Sequence, residues 1–198
     1  VSEPGARGPG RADGQDLTGS LLVATPLTGD VFERAVVLVL HHDADGAHGL
    51  ILNRPMDARV EAVLPQWQPF VTAPGVLFRG GPVGPDTAMG LVSVPGHDPH
   101  DPPLGTQLLF GGIGLVDLDA PAPLVVPELG AFRIFVGYSG WAAGQVESEL
   151  RRGAWYVVPR EPRDPFHEDV AGLWREVLLR QRSSMAFVTT WTDVPETN

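Results

Sequence analysis

Residues 32–55 read FERAVVLVLHHDADGAHGLILNRP, and this stretch decides the class of fold. Its first half, AVVLVL (35–40), is a continuous apolar run rich in β-branched residues, the pattern of a strand covered on both faces. A second such run, HGLIL (48–52), follows the turn-rich HDADGA. Asp45-Gly46 between them predicts a hairpin, because glycine readily takes the positive φ that tight hairpin turns require. The chain therefore opens with antiparallel pairing rather than with a β-α-β crossover.

Working outward, SLLVAT (20–25) predicts a strand before the hairpin. Further strands are expected at 76–79, 89–94, 115–118, 132–137 and 155–158. Helices are fewer. Asp57 is placed to cap one running to Leu64, on which Val60, Val63 and Leu64 share a face. A second is expected from about Trp141 to Arg152. The third has Asp164 as N-cap and Pro165 at N1, then Phe166, Val170, Leu173, Trp174, Val177 and Leu178 at helical spacing. Strands in hairpin-like succession with about three helices give a mixed α/β (α+β) class whose sheet is largely antiparallel.

The composition narrows the chemistry. The chain has 198 residues, a net charge of -10 and no cysteine, which excludes disulfides, thiolate nucleophiles and iron–sulfur clusters. Every basic residue is arginine, so Schiff-base catalysis and a P-loop lysine are also excluded. A pI near 4.9 leaves no basic footprint for nucleic acid. The arginine-rich region 133–182 is nearly balanced by Glu147, Glu149, Glu161, Asp164, Glu168, Asp169 and Glu176, and reads as a mixed solvated face. The longest clean apolar run, 35–40, is far short of the ~20 residues of a membrane span. Residues 1–16 lack an apolar signal-peptide core, so a cytoplasmic location is expected. Those residues hold only Val1 and two alanines among Gly, Pro and charges, and predict a disordered tail. A single domain over 17–192 and a short tail at 193–198 complete the expected organisation.

Three motifs suggest chemistry. Gly137-Tyr138-Ser139-Gly140-Trp141 follows a strand and resembles a nucleophile elbow, but Trp141 stands where the final glycine belongs. Ser139 then reads better as a helix cap, with Gly140 making room for a close turn. The histidine stretches His41-His42-Asp43, with Asp45 and His48, and His97-Asp98-Pro99-His100-Asp101 contain metal-ligating types. Alternation along a strand sends His41 and His42 to opposite faces, and no metal is expected. Gly111-Gly112-Ile113-Gly114 precedes a strand rather than a helix, so it is not read as a phosphate cradle. No cofactor is expected.

A fourth set is more suggestive. Asn53 and Arg54 end one strand; Arg79, Gly80 and Gly81 end another; Tyr138, Gly140, Gln145 and Glu149 follow in the third segment. Arginines and exposed backbone N–H groups at strand ends can together bind an anion or carboxylate. In the structural alternative, Arg54 or Arg79 pairs with Glu147 or Glu149 and pins a helix to the sheet.

The same residues carry a resemblance. Residues 32–55, FRGGPV (78–83) and GYSGWAAGQVESELRRGAWYVVP (137–159) resemble the signature of the YqgE/AlgH family of bacterial proteins, as do GSLLVATP (19–26) and the ending 193–198. The likeness is weak over 96–114, so a metal in the HDPHD loop is not implied. It implies one compact α/β domain whose split sheet curls into a barrel-like core. It implies little about activity: one branch of the family is labelled a transcriptional regulator. Many members have alanine at the position of Ser139, which weakens the nucleophile reading.

The expectation is a non-catalytic regulatory protein that binds a small anionic metabolite or a protein partner, with neither nucleic acid nor membrane involved. The alternatives are a serine hydrolase using Ser139 with a histidine, and a direct DNA-binding regulator.

Overall fold

Among the described residues, ten strands form one sheet: β1 (21–24), β2 (36–43), β3 (46–51), β4 (55–59), β5 (76–79), β6 (83–93), β7 (106–110), β8 (113–116), β9 (132–142) and β10 (155–158), in the order β10-β1-β2-β3-β9-β6-β8-β7 with β4 and β5 attached beside it. The computed structural model describes residues 15–96, 98 and 100–181. Apart from residues 15 and 16, the expected tails at 1–16 and 193–198 lie outside these.

The opening hairpin is present as β2 (Val36–Asp43) and β3 (Gly46–Ile51), and β1 (Leu21–Ala24) pairs antiparallel with β2. The strands expected at 76–79 and 155–158 are β5 (Val76–Arg79) and β10 (Trp155–Val158). β6 (Val83–Ser93) and β9 (Phe132–Ala142) are longer than their apolar runs suggest, and β8 is Ile113–Val116. Two further strands lie outside the expected ones: β4 (Pro55–Arg59) and β7 (Thr106–Phe110).

β9 organises the sheet. β6 pairs along one edge, while β5 and then β3 occupy the other. All pairings are antiparallel except β5 with β9. The sheet curls so that Val158 and Leu21, near one end, share a core cluster with Ile113 and the partly buried Phe110 at the other. This makes the half-barrel. Helix α4 (Leu173–Leu179) closes it with Leu173, Trp174, Val177 and Leu178, and the Trp174 indole donates to the Ala24 carbonyl at 2.9 Å. A second cluster, on the outer face, lies under α3 (Gln145–Arg151), and a third includes Val60 of α1 (Val60–Val63) with Ala122 and Val125 of α2 (Ala122–Val125). Both faces of the sheet are thus covered, which is why its strands read as continuous apolar runs.

The helical expectations need correction. Among the described residues, helix occurs as four short α segments rather than about three longer ones. Asp57 lies in β4 and caps nothing; α1 has no side-chain cap. β9 continues through Ala142, so α3 begins only at Gln145, after the left-handed Gly144. The third helix is interrupted. Asp164–Phe166 form a 3-10 turn, His167 is extended, and α4 starts at Leu173. Asp164 is fully buried and accepts both Arg180 Nη1 at 2.7 Å and Nη2 at 2.6 Å, so it anchors α4 from outside instead of capping it.

The meeting of β3, β5 and β9 requires bare backbone. Gly80 donates to the Val136 carbonyl and its own carbonyl accepts from Ile51 N–H. A Cβ at Gly80 would lie 2.2 Å from the Gly137 carbonyl oxygen, and one at Gly81 would lie 2.2 Å from the Tyr138 carbonyl carbon. Gly80→Ala should therefore destabilise by about 3 kcal/mol or more through forced backbone displacement. Gly140→Ala, whose Cβ meets nothing nearer than 3.5 Å, should stay within about 0.5 kcal/mol of the native protein. Urea unfolding of the two variants checks the contrast.

Candidate functional site

The strand-end residues do not converge on one site. Asn53 is buried: its Oδ1 accepts Val36 N–H at 3.0 Å and its Nδ2 donates to the Arg34 carbonyl at 2.8 Å. The adjacent Arg54 guanidinium donates to the carbonyls of Asn53 and Glu33, and its partial burial lowers its pKa. Arg79 is exposed at the end of β5, while Gly80 and Gly81 are packed against β9. Gln145 and Glu149 stand apart on α3. One Glu149 oxygen accepts the indole N–H groups of Trp141 at 2.9 Å and Trp155 at 2.8 Å; the other accepts Gln145 Nε2 at 3.0 Å. Glu149 therefore fastens α3 to the sheet through two tryptophans, not through Arg54 or Arg79.

Ser139 is not a cap. It lies inside β9, completely buried, and its Oγ donates to the Gly80 carbonyl at 3.1 Å. The hydroxyl thus stabilises the glycine junction and has no access to a substrate.

The histidines separate as alternation requires. His42 turns toward α3, where its Nδ1 accepts Leu17 N–H at 3.2 Å and its Nε2 bonds Glu147 Oε1 at 2.9 Å. Burial raises the Glu147 pKa, but a backbone hydrogen bond and the contacts with His42 and Arg151 outweigh it, and the net shift is downward. His41 faces the other way, bonded to Asp43 at 2.8 Å and 5.5 Å from the His48 ring. Burial, followed by the neighbouring His41, lowers the His48 pKa. Tyr138 and Gly140 join these residues around a shallow hollow of about 440 Å³. Among the described residues, no three His, Cys, Asp or Glu side chains gather to hold a metal ion. His97 and Pro99 lie outside the described residues.

The larger cavity was not signalled by any motif. It is a groove of about 800 Å³ between the β7–β8 turn and the segment 160–169. Pro95, Ile113, Ala131 and Phe166 supply apolar wall, and Arg160 supplies a cation. The Arg160 Nη2 makes a long bond of 3.3 Å to the Gly111 carbonyl, while Nε and Nη1 are shielded from water and have no acceptor. Burial lowers its pKa, opposed by the charge of Asp164. That carboxylate is already held by Arg180. Gly111 makes the arrangement possible: its φ is +49°, and a Cβ there would lie 2.7 Å from Arg160 Nη2.

Arg133 supports the same wall from below. It is 1% exposed, donates to the carbonyls of Ala73 at 2.8 Å and His167 at 2.7 Å, and lies 4.7 Å from the Phe78 ring centroid. Burial depresses its pKa to about 10, against the opposing charge of Glu168. The arginines of 133–182 are therefore not one solvated face. Arg133 is core, Arg180 is bound to Asp164, and Arg163 is held by Glu161 and Glu176. FRIF (132–135) carried the available hint, an arginine flanked by apolar residues inside a strand.

Residues 21–186 match the model of the AlgH-like family, DUF179. A UPF0301 protein of Streptomyces coelicolor is 51% identical over 194 residues, covering 96% of this chain and 99% of that protein. The chain belongs to the AlgH-like family. Another UPF0301 protein, from Thermobifida fusca, is 45% identical over 196 residues, with 94% and 98% covered. The AlgH-like fold is also seen in the crystal structure of a Corynebacterium diphtheriae protein, with TM-score 0.81, 30% identity and coverage of 88% and 92%. The solution structure of AlgH from Pseudomonas aeruginosa matches with TM-score 0.66 and 25% identity, covering 93% of this chain and 98% of that one. These likenesses bear out the fold and family read from the sequence. No helix among the described residues is long and apolar enough to cross a membrane.

Two outcomes follow from the occupied polar groups. A fluorophosphonate probe should leave native Ser139 unlabelled, as read by mass spectrometry of the digested protein. Glu147→Ala should cost about 1–3 kcal/mol at neutral pH by leaving His42 Nε2 without its acceptor. Because the folded Glu147 pKa is depressed, this contribution is present above the ordinary carboxyl value of 4.5 and is lost as pH falls through the lower folded pKa. The stability gap between native protein and variant should therefore close on acidification.

Proposed function

We propose that this AlgH-like protein is a non-catalytic cytoplasmic binding protein with a regulatory output, and that it binds a small anion in the groove beside Arg160. One observation carries the reading: a partly buried guanidinium, with two N–H positions lacking acceptors, borders the larger of the cavities described above. Unsatisfied donors on a charged group are costly, and an anionic acceptor removes that cost once the guanidinium turns its shielded Nε–Nη1 edge into the groove. Native ion pairs already occupy Arg163 and Arg180, so Arg160 is the cation in this wall with capacity to spare. The volume also lies in the range of small-molecule sites, roughly 300–1,000 Å³.

The strand-end set supports the scaffold in this reading. Asn53 and Arg54 hold the chain around residues 33–36, and Gly80 and Gly81 hold the strand junction. The hydrolase alternative finds Ser139 enclosed and bonded to a carbonyl. The DNA-binding alternative finds an acidic chain of net charge -10, on which Arg133 is buried and Arg163 and Arg180 are paired with carboxylates.

A thermal-shift screen of organic acids, sugar phosphates and nucleotides tests the proposal. A ligand at 100 times its Kd stabilises by about 2.7 kcal/mol, which at roughly 2–4 °C per kcal/mol is readily measured. An anion hit lost in a folded Arg160→Gln variant is the expected result. Hits unaffected by Arg160→Gln, or none at all, would overturn it.

A further inference from the structure

We infer that the ligand of the Arg160 groove is a monocarboxylate with an apolar body, an inference that rests on the anion-binding reading above. Arg160 presents a planar guanidinium, which suits the two oxygens of one carboxylate. In the unliganded groove its Nε and Nη1 are shielded from water and the Phe110 ring centroid lies 5.7 Å from the guanidinium carbon, so taking up a carboxylate requires the guanidinium to turn, at the cost of the long 3.3 Å bond from Nη2 to the Gly111 carbonyl.

The rest of the groove discriminates among anions. Beyond Arg160, the lining contributed by Pro95, Ile113, Ala131 and Phe166 offers dispersion contact and little hydrogen bonding. Glu168 and Asp169 also border the groove. Two further basic side chains in the lining do not offset them: Arg163 Nη2 is bonded to Glu176 at 2.6 Å, and His167 Nε2 contacts the same carboxylate at 2.8 Å. A dianion or polyphosphate would meet one available cation and two carboxylates. A single negative charge with an apolar tail meets a guanidinium at one end and hydrocarbon along its length. The groove is thus built for charge one, not charge two.

Isothermal titration with octanoate, 4-phenylbutyrate, octanamide, inorganic phosphate and ATP decides the matter, using the full chain. The carboxylates should bind, octanamide should bind at least about tenfold more weakly than octanoate, and phosphate and ATP should not compete. Arg160→Gln should weaken the carboxylates by about tenfold or more, and Arg160→Lys, which keeps the charge without the planar fork, should recover only part of the loss. Circular dichroism of each variant establishes that it is folded. Binding of phosphate or ATP in preference to the carboxylates, abolished by Arg160→Gln, would overturn this inference and leave the anion site standing. Equal binding of octanamide and octanoate would overturn both, as would carboxylate binding indifferent to Arg160.

Discussion

The structure depends on the approach of two glycine-containing backbones, Gly80-Gly81 and Gly137 through Gly140. β9 is paired by β6 along one edge, and along the other by β5 and then β3. For β5 to yield its place to β3, its chain must leave while almost touching β9. Any side chain at Gly80 would occupy the Gly137 carbonyl. Gly137 itself has φ +67°, a conformation that glycine reaches without strain. Ser139 then hydrogen-bonds the Gly80 carbonyl across the contact. The motif that looks like catalytic machinery is thus a fastening of the sheet where β5 gives way to β3.

Much of this was legible before the structure. The hairpin of 35–52, the strands at 76–79 and 155–158, and the mixed, largely antiparallel class follow from apolar runs and Asp45-Gly46. The separation of His41 from His42 follows from strand alternation. β4 was hidden because PMDAR lacks a continuous apolar run: it alternates between exposed and half-buried residues and presents only Met56 and Ala58 to the third cluster, whereas β7 was passed over although TQLLF ends in the apolar run 108–110. The helix expected from Asp164 failed for another reason. Its polar residue and proline do start a turn, but the Asp164 carboxylate is bound by Arg180, sixteen residues further along, and His167 leaves the helical region. Local pattern cannot register such a distant partner.

The site was less legible than the fold, because its defining property is what an arginine does not touch. Asn53, Arg54 and Glu149 have the residue types of a polar site, yet carbonyls and indoles of the same chain occupy them. Arg160 has no motif around it. Its position depends on the missing side chain of Gly111, which lies in a turn nearly fifty residues earlier. The GGIG run leads into a strand rather than a helix, and its first glycine makes room for the guanidinium of the anion site proposed above.

Burial sorts the arginines of this chain into distinct roles. Arg180 has a carboxylate that matches its fork, and the pair fixes α4 against the turn at Asp164. Arg133 is deeper and has no carboxylate bonded to it, but carbonyls of Ala73 and His167 and the face of Phe78 surround it. Its Nε also lacks an acceptor, yet the residue is sealed in the core, beyond the reach of a ligand. Arg160 shares the missing acceptors, and its Nε and Nη1 are likewise shielded from water, but the residue as a whole is only partly buried and borders an open groove, with one long bond to a carbonyl. A sealed cation can only be held by its own chain. A cation at the edge of a groove can be completed by a molecule from outside, and that difference in access is what separates a structural arginine from a binding one.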